Sequence, residues 1–162
     1  MLLLAASILV GSPASQQRVT AAAILADLRQ RHATSVVSSL LESPDAWNTV
    51  MKGVASADPD WFKVAHGLAS GADAGAGVDL EMAVSEALLV APERTLREFG
   101  YAMACSRLGF DDLELLTRAK VAELVEKRAV ALSRMPASLL PNVKKQCLAQ
   151  LRQQQEGRQY AH

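Results

Sequence analysis

Residues 43–68 read SPDAWNTVMKGVASADPDWFKVAHGL, and this stretch decides the fold class. It contains the same helix start twice. Ser43-Pro44 and Asp58-Pro59 each put a side-chain oxygen at the N-cap and a proline at the first helical position, where no amide hydrogen is needed. Behind the first, Trp47, Val50, Met51 and Val54 recur at helical spacing; behind the second, Trp61, Ala65 and Leu68 do the same. The two units form a helical-hairpin pattern, too irregular to define a repeat family.

The same reading extends in both directions. Towards the N-terminus, Ala21, Ile24, Leu25 and Leu28 predict a helix from about Gln16 to His32, and Val36, Val37, Leu40 and Leu41 a short one after it. Towards the C-terminus, the glycine-rich run Gly67 to Gly77 reads as a flexible connector. Asp79 then caps a helix whose stripe is Leu80, Ala83, Val84, Ala87 and Leu88. Ala91-Pro92 ends that helix and opens another, expected to run to a C-terminal stop at Gly109. Asp111 or Asp112 begins the longest helix, to about Arg134, with Leu113, Val121, Leu124, Val125 and Leu132 on its face. Met135-Pro136 breaks it, and Leu140-Pro141 starts the last helix, to about Gln155. No stretch alternates with period two. The expectation is an all-α domain, an orthogonal or solenoid-like bundle of about seven helices over residues 15–155, with a frayed polar tail at 156–162.

Composition agrees. Hydrophobic residues make up 50% and charged residues 21% of 162 positions, enough to bury a core and too apolar for disorder. Aromatics are only 4%, which favours small-residue helix packing over a β-rich fold. The net charge is zero, so bulk basicity does not carry the chain to nucleic acid.

Residues Leu2 to Val10, LLLAASILV, are too few to span a bilayer and fit the apolar core of a secretory signal. Ser12-Pro13-Ala14 supplies small residues for cleavage after Ala14. No Lys or Arg precedes the run, and the competing reading is a buried first helix or strand. No Cys follows it to take a lipid, so no stable membrane anchor is expected. The expected location is periplasmic or secreted.

Export permits a disulfide. Cys105 shares an apolar stripe with Tyr101, Ala104 and Leu108, and Cys147 one with Leu140, Val143 and Leu151. A bridge between them, 42 positions apart, would contribute about 4 kcal/mol on the chain-entropy account. Two buried thiols acting as small hydrophobes are the alternative.

Chemistry-bearing patterns are sparse. Gly71, Gly75 and Gly77 precede a helix, but no strand and no Gly-Lys-Ser/Thr accompany them, and Asp73 and Asp79 would repel phosphate. His32, His66 and His162 are scattered, and no metal-ligand spacing occurs. Glu81 and Glu86 diverge on a helix, and Asp111, Asp112 and Glu114 suit a helix first turn. No catalytic residue, metal ligand or cofactor is therefore assigned, and no enzyme is expected.

Charge is unevenly placed. Residues 1–116 carry 8 basic and 14 acidic side chains, while residues 117–162 carry 9 and 3. The basic set includes Arg118, Lys120, Lys127, Arg128, Arg134, Lys144, Lys145 and Arg152. Two readings stand: basic helices docked on an acidic body, or a basic face that steers a charged protein partner or a second copy.

The central stretch resembles a group of uncharacterised exported α-helical proteins of proteobacteria. The likeness rests on Trp47-x-x-Val50, Val54-x-Ser56-x-Asp58-x-x-Trp61, Ala65-x-x-Leu68, Asp73-Ala74, Leu80-x-x-Ala83-x-x-x-Ala87-Leu88 and Pro92-x-x-x-Leu96. Arg128, Ala131-Leu132 and Lys144-x-x-Cys147-Leu148 extend it over about residues 44–151. These motifs describe packing and imply a fold, not an activity. In size, helix content and export the chain is also similar to the small periplasmic immunity proteins that neutralise type VI secretion amidases. That likeness implies a protein-binding role, with Gly71, Asp73, Gly75 and Gly77 as the partner-binding loop and Asp73 at its tip. An envelope scaffold with a broad groove is the other expectation.

Overall fold

The computed structural model describes residues 19–108 and 117–157. Within them the chain is all-α, with eight helices: α1 Ala21–Gln30, α2 Ala33–Leu41, α3 Pro44–Ala55, α4 Pro59–Ala69, α5 Ala74–Val90, α6 Pro92–Ala104, α7 Arg118–Ser133 and α8 Pro141–Gly157. The expected signal segment 1–14 lies outside these residues.

Helix starts follow local chemistry. The Ser43 hydroxyl accepts the Ala46 amide, and the Asp58 carboxylate accepts those of Asp60 and Trp61 at 2.9 and 3.3 Å. Thr20 caps α1, so that helix opens at Ala21 rather than Gln16, which itself lies outside the described residues. Thr117, with extended backbone, caps α7 through the Lys120 amide. That extended residue interrupts any helix begun at Asp111 or Asp112, so α7 is shorter than expected; those two residues and Gly109 are not among the described ones.

The largest departure concerns the glycine-rich connector. α5 begins at Ala74, not at Asp79, because the Asp73 carboxylate accepts the Ala76 amide at 2.9 Å. Gly75 and Gly77 are therefore helical, and only Ser70 to Asp73 remain between α4 and α5. Burial of Ala76 and Leu80 beneath the first turns favours this longer helix. Asp79 instead joins α3 to α5, its carboxylate accepting the indole N–H of Trp47 at 2.7 Å. Helix α8 likewise runs past Gln155 to Gly157, so the start of the expected tail is helical.

α5 is the axis of the packing. Ala83, Val84, Ala87 and Leu88 are fully buried, and so is Ser85 between them, which leaves little of the helix facing water. α3 and α6 lie against it most extensively, with α4 and α7 completing the surround. α1 and α2 pack on the α3–α4 side, and α8 packs on α6 and α7. Substantial contacts join helices no more than three apart in chain order.

Two glycines are required by geometry. At Gly100, inside α6, φ is 67° and ψ is 178°, a conformation that L side chains avoid, and it interrupts the helix between Phe99 and Tyr101. Gly71 lies against the backbone of Ala33 and Thr34 at the start of α2, and a Cβ there would collide with main-chain atoms that cannot give way. Gly77 has open space where its Cβ would be. Gly71→Ala is expected to destabilise the fold by about 1–3 kcal/mol. Gly77→Ala is expected to be neutral or stabilising by up to about 1 kcal/mol. Urea denaturation of the two variants checks both signs, and equal behaviour would contradict the helical placement of Gly77.

Candidate functional site: a groove at the α5–α6 corner

The run Leu88-Leu89-Val90-Ala91-Pro92 stays apolar past the end of α5. Pro92 excludes helical backbone at the residue before it, and Ala91 accordingly adopts φ −139° and ψ 72°, closing α5 and opening α6. The helix must turn while its side chains are still hydrophobic. Leu88 goes inside, fully buried, while Val90 is left 64% exposed.

The last turns of α7 face this corner. Ala131, Arg134, Met135 and Pro136 form one wall and Leu89 to Arg94 the other, enclosing a groove of about 640 Å³. An adjoining depression of about 330 Å³ continues along α7 past Val130, sharing Leu89, Ala131 and Arg134 with the first. Val90 and Val130 are thus exposed hydrophobics on a single continuous surface.

The rim carries both signs of charge, mostly in local pairs. Arg97 meets Glu93 at 2.7 Å, and Glu98 lies 3.6 Å from His66, whose ring stacks on Phe99. The Arg94 guanidinium donates to the Ala57 carbonyl at 2.9 Å, tying the α6 start to the turn after α3. On α7, Glu123 takes Lys127 at 2.6 Å and Lys120 at 3.4 Å. Hydrogen bonds from Lys127 and then Lys120 hold its carboxyl below the usual carboxylate range. That contribution is present at neutral pH and is lost as pH falls through the lowered value; the exposure of the pair keeps it small. The groove therefore mixes apolar side chains with oriented charges.

The residues singled out in the sequence fall in several places. Cys105 and Cys147 are bridged, with Cα atoms 5.4 Å apart and both residues fully buried. Gly71, Asp73, Gly75 and Gly77 do not form a protruding loop: the first is packed on α2, the second caps α5, and the others are helical. Gly77 borders a shallow depression of about 360 Å³ beside Glu81 and Met103.

The expected basic face also changes membership. Arg128 is not on it. Its side chain is fully buried, its guanidinium lies 2.8 Å from Glu86, and it donates to the Ser85 hydroxyl and the Leu124 carbonyl at 3.1 and 3.2 Å. Lys120 and Lys127 flank Glu123, and the Lys144 ammonium donates to the Met135 carbonyl. Arg118, Arg134, Lys145 and Arg152 are exposed. Glu81 and Glu86 are taken up separately, by Arg107 at 3.0 Å and by Arg128. Among the described residues no three His, Cys, Asp or Glu group to hold a metal ion; Asp111, Asp112, Glu114 and His162 lie outside them. No described helix is long and apolar enough to cross a membrane.

Against known proteins, no family model, no curated protein and no solved structure matches this chain.

The placement of Arg128 has a measurable consequence. Arg128→Ala leaves the half-buried Glu86 carboxylate without its guanidinium partner, and is expected to cost about 3–5 kcal/mol in a denaturant titration. Lys127→Ala, at an exposed pair, is expected to change stability by less than about 1 kcal/mol.

Proposed function

We propose that this chain is a non-catalytic protein-binding domain of an oxidising compartment, periplasmic or secreted, and that its partner seats in the groove at the α5–α6 corner. The observation that carries this reading is Val90, 64% exposed on the rim of a 640 Å³ groove and continuous with exposed Val130. An aliphatic side chain left in water on the rim of a groove costs free energy that a partner recovers by covering it. The Cys105–Cys147 bridge supports the compartment, because such bonds persist where thiols are not kept reduced.

Of the two forms of protein binding, the scaffold-like form has more support than the plug-like inhibitor. An inhibitor that inserts a loop needs a protruding segment, and Asp73 with its glycines supplies a capped helix instead. A groove presents a seat and receives a partner's side chains. An immunity role stays within the proposal only if the toxin's element enters the groove.

A photo-crosslinking residue placed at position 90 of the full chain, in the producing cells, tests the assignment. A discrete heteromeric adduct is expected from position 90 and from position 130, and none from exposed Asp45 on α3. Val90→Glu is expected to abolish the adduct formed from position 130 without lowering the melting temperature. Equal labelling at all three positions, or none at 90 and 130, would overturn the groove as the binding surface.

A further inference from the structure

We propose that the Cys105–Cys147 bridge is a redox-controlled latch on α8: the helix docks stably only after oxidation, and the rest of the domain does not need it to fold. α5 and α8 are both 17 residues long, but they are held in different ways. α5 buries seven residues. In α8, among residues 141–156, only Cys147 and Leu151 are buried, with Val143 and Leu148 half-covered. Among the described residues, two side chains of α8 hydrogen-bond to its surroundings. Lys144 donates to the Met135 carbonyl at 3.3 Å, and the Gln154 amide to the carbonyls of Cys105 and Ser106, both at 2.8 Å. Its substantial contacts are with α6 and α7, at the end of the helical stack, so its release leaves the contacts around α5 intact.

One of the two buried anchors of α8 is therefore the cysteine itself, and bridging it makes docking intramolecular at high effective concentration. The position of the sulfurs gives the latch a direction. Docked, both cysteines have no solvent exposure, and Gln154 of the same helix lies over the Cys105 carbonyl. Undocked, α8 carries Cys147 away and uncovers Cys105, so an oxidant reaches the thiols in the open state. One thiolate attacks the disulfide of an oxidising dithiol–disulfide carrier to give a mixed disulfide. The second thiolate displaces the carrier, forming the intramolecular S–S bond. The carrier's own S–S bond is broken, and it leaves as a dithiol with two electrons and the two protons. Reopening by a dithiol requires α8 to undock first. Lys144 also fixes the Met135 carbonyl beside Arg134 and Pro136, so latching sets one wall of the groove.

Hydrogen exchange read by mass spectrometry tests this on the full chain, oxidised and then reduced with dithiothreitol, beside a Cys105→Ala/Cys147→Ala variant. Peptides from 141–157 are expected to exchange about tenfold faster or more in the reduced chain and in the variant, and those around Met135 to rise with them. Peptides from α3 to α5 are expected to hold within about twofold. Unchanged protection in α8 after reduction would show that the bridge adds nothing to docking. A parallel rise across α3 to α5 would show that it holds the whole fold. Either result overturns the latch. A double variant that does not fold, together with loss of protection in α3 to α5 on reduction of the native chain, likewise overturns the latch.

Discussion

A guanidinium without solvent contact constrains the second half of this molecule. Arg128 extends from α7 into α5, and three described acceptors meet it: the Glu86 carboxylate, the Ser85 hydroxyl and the Leu124 carbonyl. Ser85 in turn donates to the Arg107 carbonyl at 2.6 Å, just beyond α6. Residues from α5, the exit of α6 and α7 therefore share one buried network. Replacing such a network by a well-packed apolar cluster is often neutral, whereas removing one member strands the others. Its value here lies in register. Only one rotation of α7 brings Arg128 to Ser85 and Glu86 together, and that rotation turns Val130 outward and puts Ala131 and Arg134 on the groove.

The groove follows from the same fixed register combined with a local event in the chain. Pro92 turns the backbone before the apolar run of α5 is exhausted, and α7 cannot slide to cover Val90 without pulling Arg128 out of its site. Two constraints with separate origins, one steric and one electrostatic, leave a hydrophobic surface open. A chain under selection for stability alone has simple remedies at this position, because a polar residue at 90 disturbs neither Pro92 nor Arg128. The presence of valine there is the physical reason for proposing a partner at this surface.

Elements set by neighbours in sequence are legible in it, and those set across the fold are not. Ser43, Asp58 and Pro92 act within three residues, and each starts its helix where the local pattern puts it. Asp73 and Asp79 both precede apolar stripes and look alike locally; Trp47, from another helix, engages Asp79 and leaves Asp73 as the cap. Gly75 and Gly77 read as breakers because glycine weakens an isolated helix, yet burial of the turns around them outweighs that preference. Arg128 passes for surface charge by composition, although its spacing betrays it: it falls on the stripe of Val121, Leu124, Val125 and Leu132. The groove has a signal too, in an apolar run that continues up to a helix-ending proline. The cysteine pair is legible because two apolar faces, each carrying one sulfur, have few ways to pack in so small a core.

The division of charge between the two halves takes a different meaning once the pairs are placed. Arg128 and Glu86 join the halves, at a buried site. Lys120 and Lys127 pair within α7, Arg97 and Glu93 within α6, and Lys63 and Asp60 within α4. These i,i+3 and i,i+4 contacts add a few tenths of a kcal/mol each to their own helix and do little to hold α7 and α8 against the acidic body. Docking of those helices instead rests on Val121, Leu132, Leu151 and the disulfide. The exposed part of the basic excess beyond residue 117 includes Arg134, Lys145 and Arg152. At physiological ionic strength its field decays over about 8 Å. That range is too short to act across the molecule; in the proposed binding role it is long enough to orient a charged partner beside Arg134.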